Sequence, residues 1–364
     1  MSDRFPTHDA DERLRAVRDA GGDVVPLHGT PAPALPPHVV DAVARALGTA
    51  APAPHPRGLP ELRERLAGIL GATGRAVDGE HELVVTNGAM HALGLCFRSL
   101  LESGDEVVVP APCFFFEGPI RAAGGVPVYV RGSADEGWAW DADAIEHAVG
   151  PRTRALLLCN PGNPTGAVPS ADEVASAAHV AEQRSLVLVT DEAYEAARWD
   201  AELASAFPLA GRTLLVRSLG KSLSLPHLRL GFVAGPRELV DGVALALEWD
   251  VLRVGLAPQV AATAVLDGPR AWLHDVHAGL AADLSVASAE AERAGLRFVP
   301  PRGGPFLFVS DDRPDLADSL VAAGIPAVDG RHFQSPGWAR VPFGGAASCR
   351  AALAEALARW ASAR

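Results

Sequence analysis

Short apolar runs alternate with longer amphipathic segments through residue 234, and this alternation constrains the fold more than any other feature of the chain. The amphipathic segments, of which Leu59 to Leu70 and Ala171 to Arg184 are the clearest, have the periodicity of helices. Strands that are apolar on both faces are typical of parallel sheets covered by helices, so the pattern predicts an α/β fold with a mainly parallel, seven-stranded sheet. The runs are Leu83 to Val85, Val107 to Val109, Val126 to Val130, Ala155 to Cys159, Leu186 to Val189, Leu214 to Val216 and Phe232 to Ala234.

The pattern changes after residue 235, where longer helical stretches continue to Arg293. A strand-like run at Phe306 to Val309 and a last helix at Ala346 to Ala363 follow. Near the other end, Val25 to Pro37 is rich in proline and predicts an extended loop. We therefore expect both termini to build a second, smaller α+β domain. The predicted boundaries are residues 1–50 for its N-terminal part, 51–270 for the large domain that contains the sheet and 271–364 for its C-terminal part.

Bulk composition excludes several classes of function. A formal charge of −12 without any run of basic residues argues against a nucleic-acid surface. The N-terminus lacks the apolar stretch of a signal peptide and no uncharged apolar run could span a bilayer, so we expect a cytoplasmic protein without membrane contact. The four cysteines have no CxxC spacing and are expected to be buried free thiols. His274 and His277 share a predicted helix, but no second cluster completes a metal site, so no metal is expected.

The sequence contains a single lysine, Lys221, among 32 lysine and arginine residues. Arginine meets most structural needs for a cation, but only a lysine amine can lose its proton and condense with an aldehyde. A composition rich in Ala, Gly, Pro and Arg also removes lysines, so chance survival on a solvated face is the alternative. The neighbouring residues decide between these interpretations.

Polar residues follow four of the apolar runs, at the edge where open parallel sheets bind ligands. Gly88 and Ala89 precede a helical run, so their amides would point outward at a helix N-terminus and suit a phosphate; a tight turn without a ligand is the alternative. Arg229 has the forked donors that match phosphate oxygens. Asp191 ends a buried run, where a carboxylate needs a cationic partner such as a protonated pyridine nitrogen; a helix N-cap is the alternative.

Three segments, in this order and spacing, resemble the signature series of class I/II aminotransferases of pyridoxal-phosphate fold type I. They are Asn160-Pro-Gly-Asn163-Pro-Thr-Gly166, Asp191-Glu-Ala-Tyr194, and Ser218-x-x-Lys221 followed by Arg229. The resemblance continues over nearly the whole chain. Gly58-Leu-Pro-Glu-Leu-Arg63 is similar to an early family segment, Pro301-Arg-Gly-Gly-Pro-Phe306 to a late strand entry, and Trp338-Ala-Arg340-Val-Pro-Phe-Gly to the segment with the carboxylate-binding arginine. The resemblance implies an aspartate-aminotransferase-like fold, a homodimer with shared active sites, and pyridoxal 5′-phosphate as cofactor.

The resemblance also implies roles around the cofactor ring. Lys221 would carry the cofactor as a Schiff base and then move a proton between the substrate Cα and the cofactor. Asp191 would hold the proton of the ring nitrogen, and Asn163 and Tyr194 would donate hydrogen bonds to the ring oxygen. Phe114 matches the place of a stacked aromatic ring, although Phe115 and Phe116 compete with it or are core residues.

A further set of residues is implied to hold the phosphate and the substrate. The phosphate residues are Gly88, Ala89, Met90, Ser218 and Arg229. Arg340 would bind the substrate α-carboxylate through a bidentate pair. Asn163 and the backbone of Gly29 would lie near the same carboxylate.

The chain departs from the family pattern at three positions. Ala53 replaces a tyrosine that reaches the partner subunit's phosphate, and His55 or Arg57 are candidate substitutes. Met90 offers no side-chain donor where a hydroxyl or amide is common. Glu117 replaces a tyrosine near the cofactor; it would either favour a cationic substrate side chain or form a salt bridge.

The predicted function is therefore a pyridoxal-phosphate-dependent aminotransferase that moves an amino group between an L-amino acid and a 2-oxo acid in two half-reactions. An enzyme of the same fold that catalyses elimination, cyclisation or decarboxylation is the alternative, because fold and cofactor do not decide which bond at Cα breaks. A cofactor-binding regulator is disfavoured, since no room precedes Val24 for a DNA-binding domain and Lys221, Asp191 and Arg340 are intact.

Overall fold

The structure, a computed structural model, describes residues 5–27, 32–50, 53–199, 202–344 and 347–363, apart from the side chains of residues 347 and 348. Within these residues the seven predicted runs form one seven-stranded sheet of order β1-β7-β6-β5-β4-β2-β3. Its strands are β1 (Leu83–Thr86), β2 (Glu106–Ala111), β3 (Val126–Arg131), β4 (Thr153–Cys159), β5 (Val187–Asp191), β6 (Thr213–Arg217) and β7 (Gly231–Ala234). The predicted fold class is confirmed.

Strand direction brings the chemistry-bearing residues to one edge of this sheet. All neighbouring strands are parallel except β7, which runs antiparallel to both β1 and β6. The carboxyl ends of β1, β2, β4, β5 and β6 and the start of β7 therefore meet at the same edge. In register, Asp191 at the end of β5 pairs with Cys159 of β4 and with Val216 of β6.

Thirteen α-helices occur in the described residues. They are α1 (Pro6–Asp19), α2 (Pro37–Leu47), α3 (Pro60–Gly71), α4 (Ala89–Leu100), α5 (Glu117–Ala122), α6 (Ala142–His147), α7 (Ala171–Gln183), α8 (Leu219–Ser222), α9 (Arg237–Val251), α10 (Leu256–Asp267), α11 (Ala271–Arg293), α12 (Leu316–Ala322) and α13 (Ala347–Ser362). Local sequence explains several starts: α1, α2 and α3 each begin at proline, and α7 has a capping box between Ser170 and Glu173. In the described part of the chain, every helix is too short or too polar to traverse a bilayer.

The helices cover the sheet through its apolar side chains. The largest apolar cluster joins buried residues of β1, β2 and β4 to β7 with those of α3, α4, α9 and α10. A second cluster, on the opposite face of the sheet, packs residues of α7, such as Val174 and Ala177, against Leu156 and Leu188. The sheet is thus buried on both faces, as near-continuous apolar strands require.

A smaller antiparallel sheet of order β10-β11-β9-β8 follows in the chain. Its strands are β8 (Arg297–Phe298), β9 (Phe306–Ser310), β10 (Val328–Asp329) and β11 (Trp338–Pro342). Leu14, Val25 and Leu27 near the N-terminus share one apolar cluster with α12, α13, β9 and β11, so both ends of the chain build the smaller α+β part. Helix α11 connects the parts, with Leu273 in the large cluster and Ala287 in the small one. The numerical domain boundaries remain a prediction.

Candidate active site

The three residues predicted to be catalytic lie together at the carboxyl edge of the large sheet. Asp191 is the last residue of β5, Tyr194 lies in the turn after it, and Lys221 lies in the short helix α8 directly after β6. Lys221 Nζ is 4.5 Å from the centroid of the Tyr194 ring. That ring packs edge-on against Phe306 of β9, with 5.2 Å between centroids. The smaller sheet therefore packs against the Tyr194 ring and helps to hold its position.

Asp191 is electrostatically poised for a cation. Burial raises its pKa to about 7, although the Ala193 amide donates a 3.0 Å hydrogen bond to Oδ1 and the charge of Lys221 acts in the opposite direction. The side chain is 6% exposed, so water does little to stabilise the ionised form. A ring N–H cation beside this carboxylate would favour its ionised form, which is the role predicted for it.

The residues predicted to hold a phosphate converge at the start of α4. Gly88 is the N-cap of α4 with φ 86°, and no side chain caps this helix. A Cβ at Gly88 would lie 3.1 Å from Arg229 Nη2, so the absence of a side chain lets the guanidinium approach the helix N-terminus. The amides of Ala89 and Met90 belong to the first turn and have no partner within the helix. Together they form a cationic, amide-lined cradle.

Gly231, the first residue of β7, lies between the end of β6 and this cradle. A Cβ at Gly231 would lie 2.7 Å from the Arg217 carbonyl oxygen and 3.0 Å from the Ala89 amide nitrogen, so only glycine lets β7 pass between them. Ser218 follows Arg217 as the N-cap of α8, and its side chain makes no capping bond. Ser218 is 6% exposed. Ser218 therefore follows a residue whose carbonyl lies close to the start of α4, and its role toward a phosphate stays a prediction.

Arg340 lies at the other end of the site, on β11. Its Nη1 donates a 3.0 Å hydrogen bond to Asn163 Oδ1, which joins two residues 177 positions apart. Its Cζ lies 5.1 Å from the ring centroid of Phe333, 5.7 Å from that of Phe306 and 5.8 Å from that of Phe115. Nε is buried and has no acceptor among the described residues. Burial lowers the pKa of Arg340, and a carboxylate is the ligand that such a guanidinium lacks.

The remaining predicted residues are placed less directly. Phe114 is the least buried of its three consecutive phenylalanines, and its ring centroid lies 4.5 Å from that of Phe115. Phe115 and Phe116 are core residues, 8% and 0% exposed. Glu117 forms a 2.5 Å ion pair with Arg121, as one of its two interpretations predicted. Gly29 lies outside the described residues, so its prediction stays open.

His55 and Arg57, the candidate substitutes for the family tyrosine that Ala53 replaces, form contacts with other residues of this chain. Arg57 pairs with Asp241 at 2.5 Å and donates to the His81 carbonyl oxygen at 3.0 Å. His55 Nδ1 accepts a 3.2 Å hydrogen bond from the Arg57 amide, and burial lowers the pKa of His55. In this arrangement the Arg57 guanidinium is bound by Asp241 and His81 of the same chain.

A buried ionic cluster beneath the site was not predicted from the sequence. Arg217 Nη2 lies 2.7 Å from Glu192 Oε2, with the two side chains 7% and 0% exposed. Nearby, Ser222 Oγ donates a 2.7 Å hydrogen bond to Glu195 Oε1, and burial raises the pKa of Glu195. Glu195 follows Tyr194 and Ser222 follows Lys221, so this cluster fixes the two turns relative to one another. The available signal was an arginine ending an otherwise apolar strand.

The two helical histidines have no metal-like surroundings. Within the described ranges, no group of three or more His, Cys, Asp or Glu side chains could hold a metal ion. His274 and His277 instead line a cavity of about 530 Å³ together with Arg270. Burial lowers the pKa of His277, with the charge of His274 as a smaller cause.

Fold and site together define a pyridoxal-phosphate-dependent aminotransferase of fold type I, and comparison with known proteins agrees. The sequence profile of the family Aminotransferase class I and II matches residues 26–359, so the chain belongs to this family. The aspartate/prephenate aminotransferase of Thermus thermophilus is 32% identical over 95% of this chain and 92% of its own length. The probable N-succinyldiaminopimelate aminotransferase of Mycobacterium tuberculosis is 35% identical over 71% of this chain and 68% of its own.

Solved structures show the same architecture. The aspartate aminotransferase of Thermus thermophilus, solved with maleate, superposes with a TM-score of 0.92 at 30% identity and covers 98% of this chain and 97% of its own. The N-succinyldiaminopimelate aminotransferase of Mycobacterium tuberculosis superposes with a TM-score of 0.90 at 28% identity, over 98% and 97% of the two chains. The aspartate-aminotransferase-like fold is thereby confirmed.

Family membership settles the cofactor and the type of reaction. The chain is an aminotransferase that uses pyridoxal phosphate and acts on amino and 2-oxo acids. The described residues fit that cofactor, because the uncapped start of α4 and the neighbouring Arg229 suit a dianionic phosphate. Between the sheet strands, at the end of β5, buried Asp191 suits a ring cation.

Proposed function

We propose that Lys221, Asp191 and Tyr194 are the catalytic residues of this aminotransferase and that Arg340 binds the α-carboxylate of an L-amino acid or a 2-oxo acid. One observation carries the substrate assignment: the Arg340 guanidinium lies among three phenylalanine rings with Asn163 Oδ1 as its acceptor and a buried Nε without one among the described residues. A bidentate carboxylate supplies the missing acceptors.

Pyridoxal phosphate, when bound, supplies an aldehyde that condenses with amines and a ring that withdraws electrons as a bond at the substrate Cα breaks. Lys221 Nζ would be the amine that holds the cofactor and, when it is free, the base that takes the Cα proton and returns it. Asp191 would keep the ring nitrogen protonated. Tyr194, whose ring lies 4.5 Å from Nζ, would donate a hydrogen bond to the ring oxygen together with Asn163.

Phosphate binding anchors the reaction geometry. The amides of Gly88, Ala89 and Met90 and the Arg229 guanidinium would surround the phosphate, with Ser218 as a further donor. The phosphate and the α-carboxylate are thus held at opposite ends of the site. Fixing both ends sets which Cα bond lies perpendicular to the ring, and transamination requires this to be the Cα–H bond. The ring face would be covered by Phe114.

A homodimer completes the proposal. Helix α9 ends in an exposed apolar surface, formed by Leu245, Trp249 and Leu252 with 58%, 86% and 65% of their area exposed. Large apolar side chains grouped in this way favour burial against another chain. The family resemblance supplies the partner, a second copy that shares the active sites.

A spectroscopic assay with an amino-donor panel tests this function. The relatives are named for aspartate, prephenate and N-succinyldiaminopimelate, so aspartate, glutamate and aromatic donors are tried first. We expect an effective donor to convert the visible band of the bound cofactor into that of its amine form, and a 2-oxo acid to restore it. Release of ammonia or carbon dioxide without this conversion would replace transamination with elimination or decarboxylation. The matched control is K221R, which keeps the charge and cannot condense with the aldehyde.

A further inference from the structure

His91 lies in the first turn of α4 and bonds back to the residue that precedes the phosphate cradle. Its Nδ1 accepts a 3.0 Å hydrogen bond from the Asn87 amide, and its Nε2 lies 2.9 Å from Asp250 Oδ2. Asn87 is followed directly by Gly88, the N-cap of α4. One ring thus connects the loop after β1 to helix α9.

The bonding pattern determines the tautomer of this ring. Because the Asn87 amide can only donate, Nδ1 must be unprotonated, and Nε2 then carries the proton and donates it to Asp250. Asp250 Oδ1 also accepts a 3.1 Å hydrogen bond from Arg98 Nη1. The carboxylate is held from α4 by two donors, so its position is well defined. A neutral His91 with a fixed orientation is the result.

The Asn87 amide matters because it is the last amide before the cradle. The backbone turns sharply at Gly88, with φ 86° and ψ 170°, and this turn directs the amides of Ala89 and Met90 out of the helix end. Without an acceptor for its amide, Asn87 could rotate and carry Gly88 with it. The gap of 3.1 Å between Arg229 Nη2 and a Cβ built on Gly88 leaves little tolerance for such a shift.

We propose that His91 is a positioning residue for the cofactor phosphate: it holds the Asn87 amide so that the Gly88 to Met90 backbone and Arg229 converge on one anion. This inference rests on the phosphate site in the proposed function. His91 touches neither the phosphate nor the substrate and acts through Asn87. Its anchor on α9 is Asp250.

Protonation of His91 would undo this arrangement. A proton on Nδ1 would face the Asn87 N–H, and both groups would then be donors. Burial lowers the pKa of His91, the bond to Asp250 acts in the opposite direction, and the charge of Arg98 lowers it further. Since the folded chain binds this proton less readily than an unfolded one, the Asn87 bond is present at neutral pH and is lost as pH falls through the folded pKa.

Two isosteric variants separate positioning from general support of the helix. In H91N the amide oxygen lies near the place of Nδ1 and can still accept from Asn87 but cannot reach Asp250. In H91L, whose side chain has the shape of asparagine, there is neither an acceptor for Asn87 nor a donor for Asp250, so the two variants differ only in the Asn87 bond. Pyridoxal phosphate is titrated into each cofactor-free protein, the dissociation constant is followed by absorbance and by quenching of tryptophan fluorescence, and inorganic phosphate serves as a competitor.

We expect H91L to bind pyridoxal phosphate and inorganic phosphate about fivefold more weakly, the value of one net hydrogen bond of about 1 kcal/mol. The dissociation constants of H91N should stay within about twofold of those of the original chain, because H91N keeps the bond to the Asn87 amide. Between about pH 8 and about pH 5.5 the affinity of H91N should also fall less than that of the original chain, because its acceptor does not titrate. Equal losses in both variants, or none in H91L, overturn the inference. An original chain that fails to bind the cofactor would instead overturn the proposed function.

Discussion

Replacing Arg340 with methionine tests the substrate-binding end of the site. Methionine fills a similar volume among the three phenylalanine rings and removes the charge and the donors. A bidentate carboxylate receives two charge-assisted hydrogen bonds of about 1.5–3 kcal/mol each, so their loss amounts to about 3–6 kcal/mol. At about 1.4 kcal/mol per factor of ten, kcat/KM should fall by roughly 10² to 10⁴.

The same substitution should cost little stability. Asn163 Oδ1 loses its 3.0 Å donor, a cost of about 1–3 kcal/mol, but a buried cation without a carboxylate is removed, which is often worth a similar amount. We therefore expect the free energy of unfolding of R340M to lie within about 2 kcal/mol of the original value, and R340K, which keeps the charge without the fork, to retain intermediate activity.

The assay is the single-turnover half-reaction with an effective donor, run beside urea unfolding of the cofactor-bound proteins. A drop in kcat/KM below about tenfold for R340M would refute the assignment of Arg340 to the α-carboxylate. A loss of stability above about 4 kcal/mol would show that the guanidinium has a structural role that its recorded contacts do not explain.

Three further outcomes follow from the contacts. In the cofactor-free protein, burial raises the pKa of Asp191 from 3.8 to about 7, so the free energy of unfolding should fall as pH rises through that range. D191N should lack this decline, which amounts to about 4 kcal/mol in urea unfolding between acidic and alkaline pH. Parallel pH curves for the two proteins would contradict the shift. R217M leaves Glu192 buried without its partner and should lower the free energy of unfolding by about 3–5 kcal/mol; a change below about 1 kcal/mol would show that the pair is not needed. E117Q removes only a partly exposed pair with Arg121, so stability should change by less than about 1 kcal/mol and donor preference should not change; a lost preference for cationic donors would restore the alternative role of Glu117.

Much of the site could be predicted because it depends on short-range sequence. Asp191, Tyr194 and Lys221 each lie within five residues of the end of an apolar run, and the ends of parallel strands converge whatever the details of packing. Gly88 before a helical run likewise places amides at that edge. The residue types then limited the chemistry, since a lone lysine among many arginines is unusual.

Other features depend on contacts that no local pattern contains. Asn163 and Arg340 are 177 residues apart, and only the family resemblance indicated that β11 returns to the large sheet. Asp250 reaches His91 because α9 packs against α4, across 159 positions. The two-residue strands β8 and β10 are too short to show any alternation. Glu192 fits a helix start in the sequence, and no local pattern indicates that it pairs with Arg217, which lies 25 positions further on.

The most direct test of the account is to locate the covalent link between this chain and its cofactor. The protein is loaded with pyridoxal phosphate, reduced with borohydride, digested, and mapped by mass spectrometry. Because Lys221 is the only lysine, we expect the cofactor mass on the peptide that contains it, and no lysine-bound adduct in K221R. A colourless protein after loading, or an adduct only on the N-terminal amine, would contradict the account.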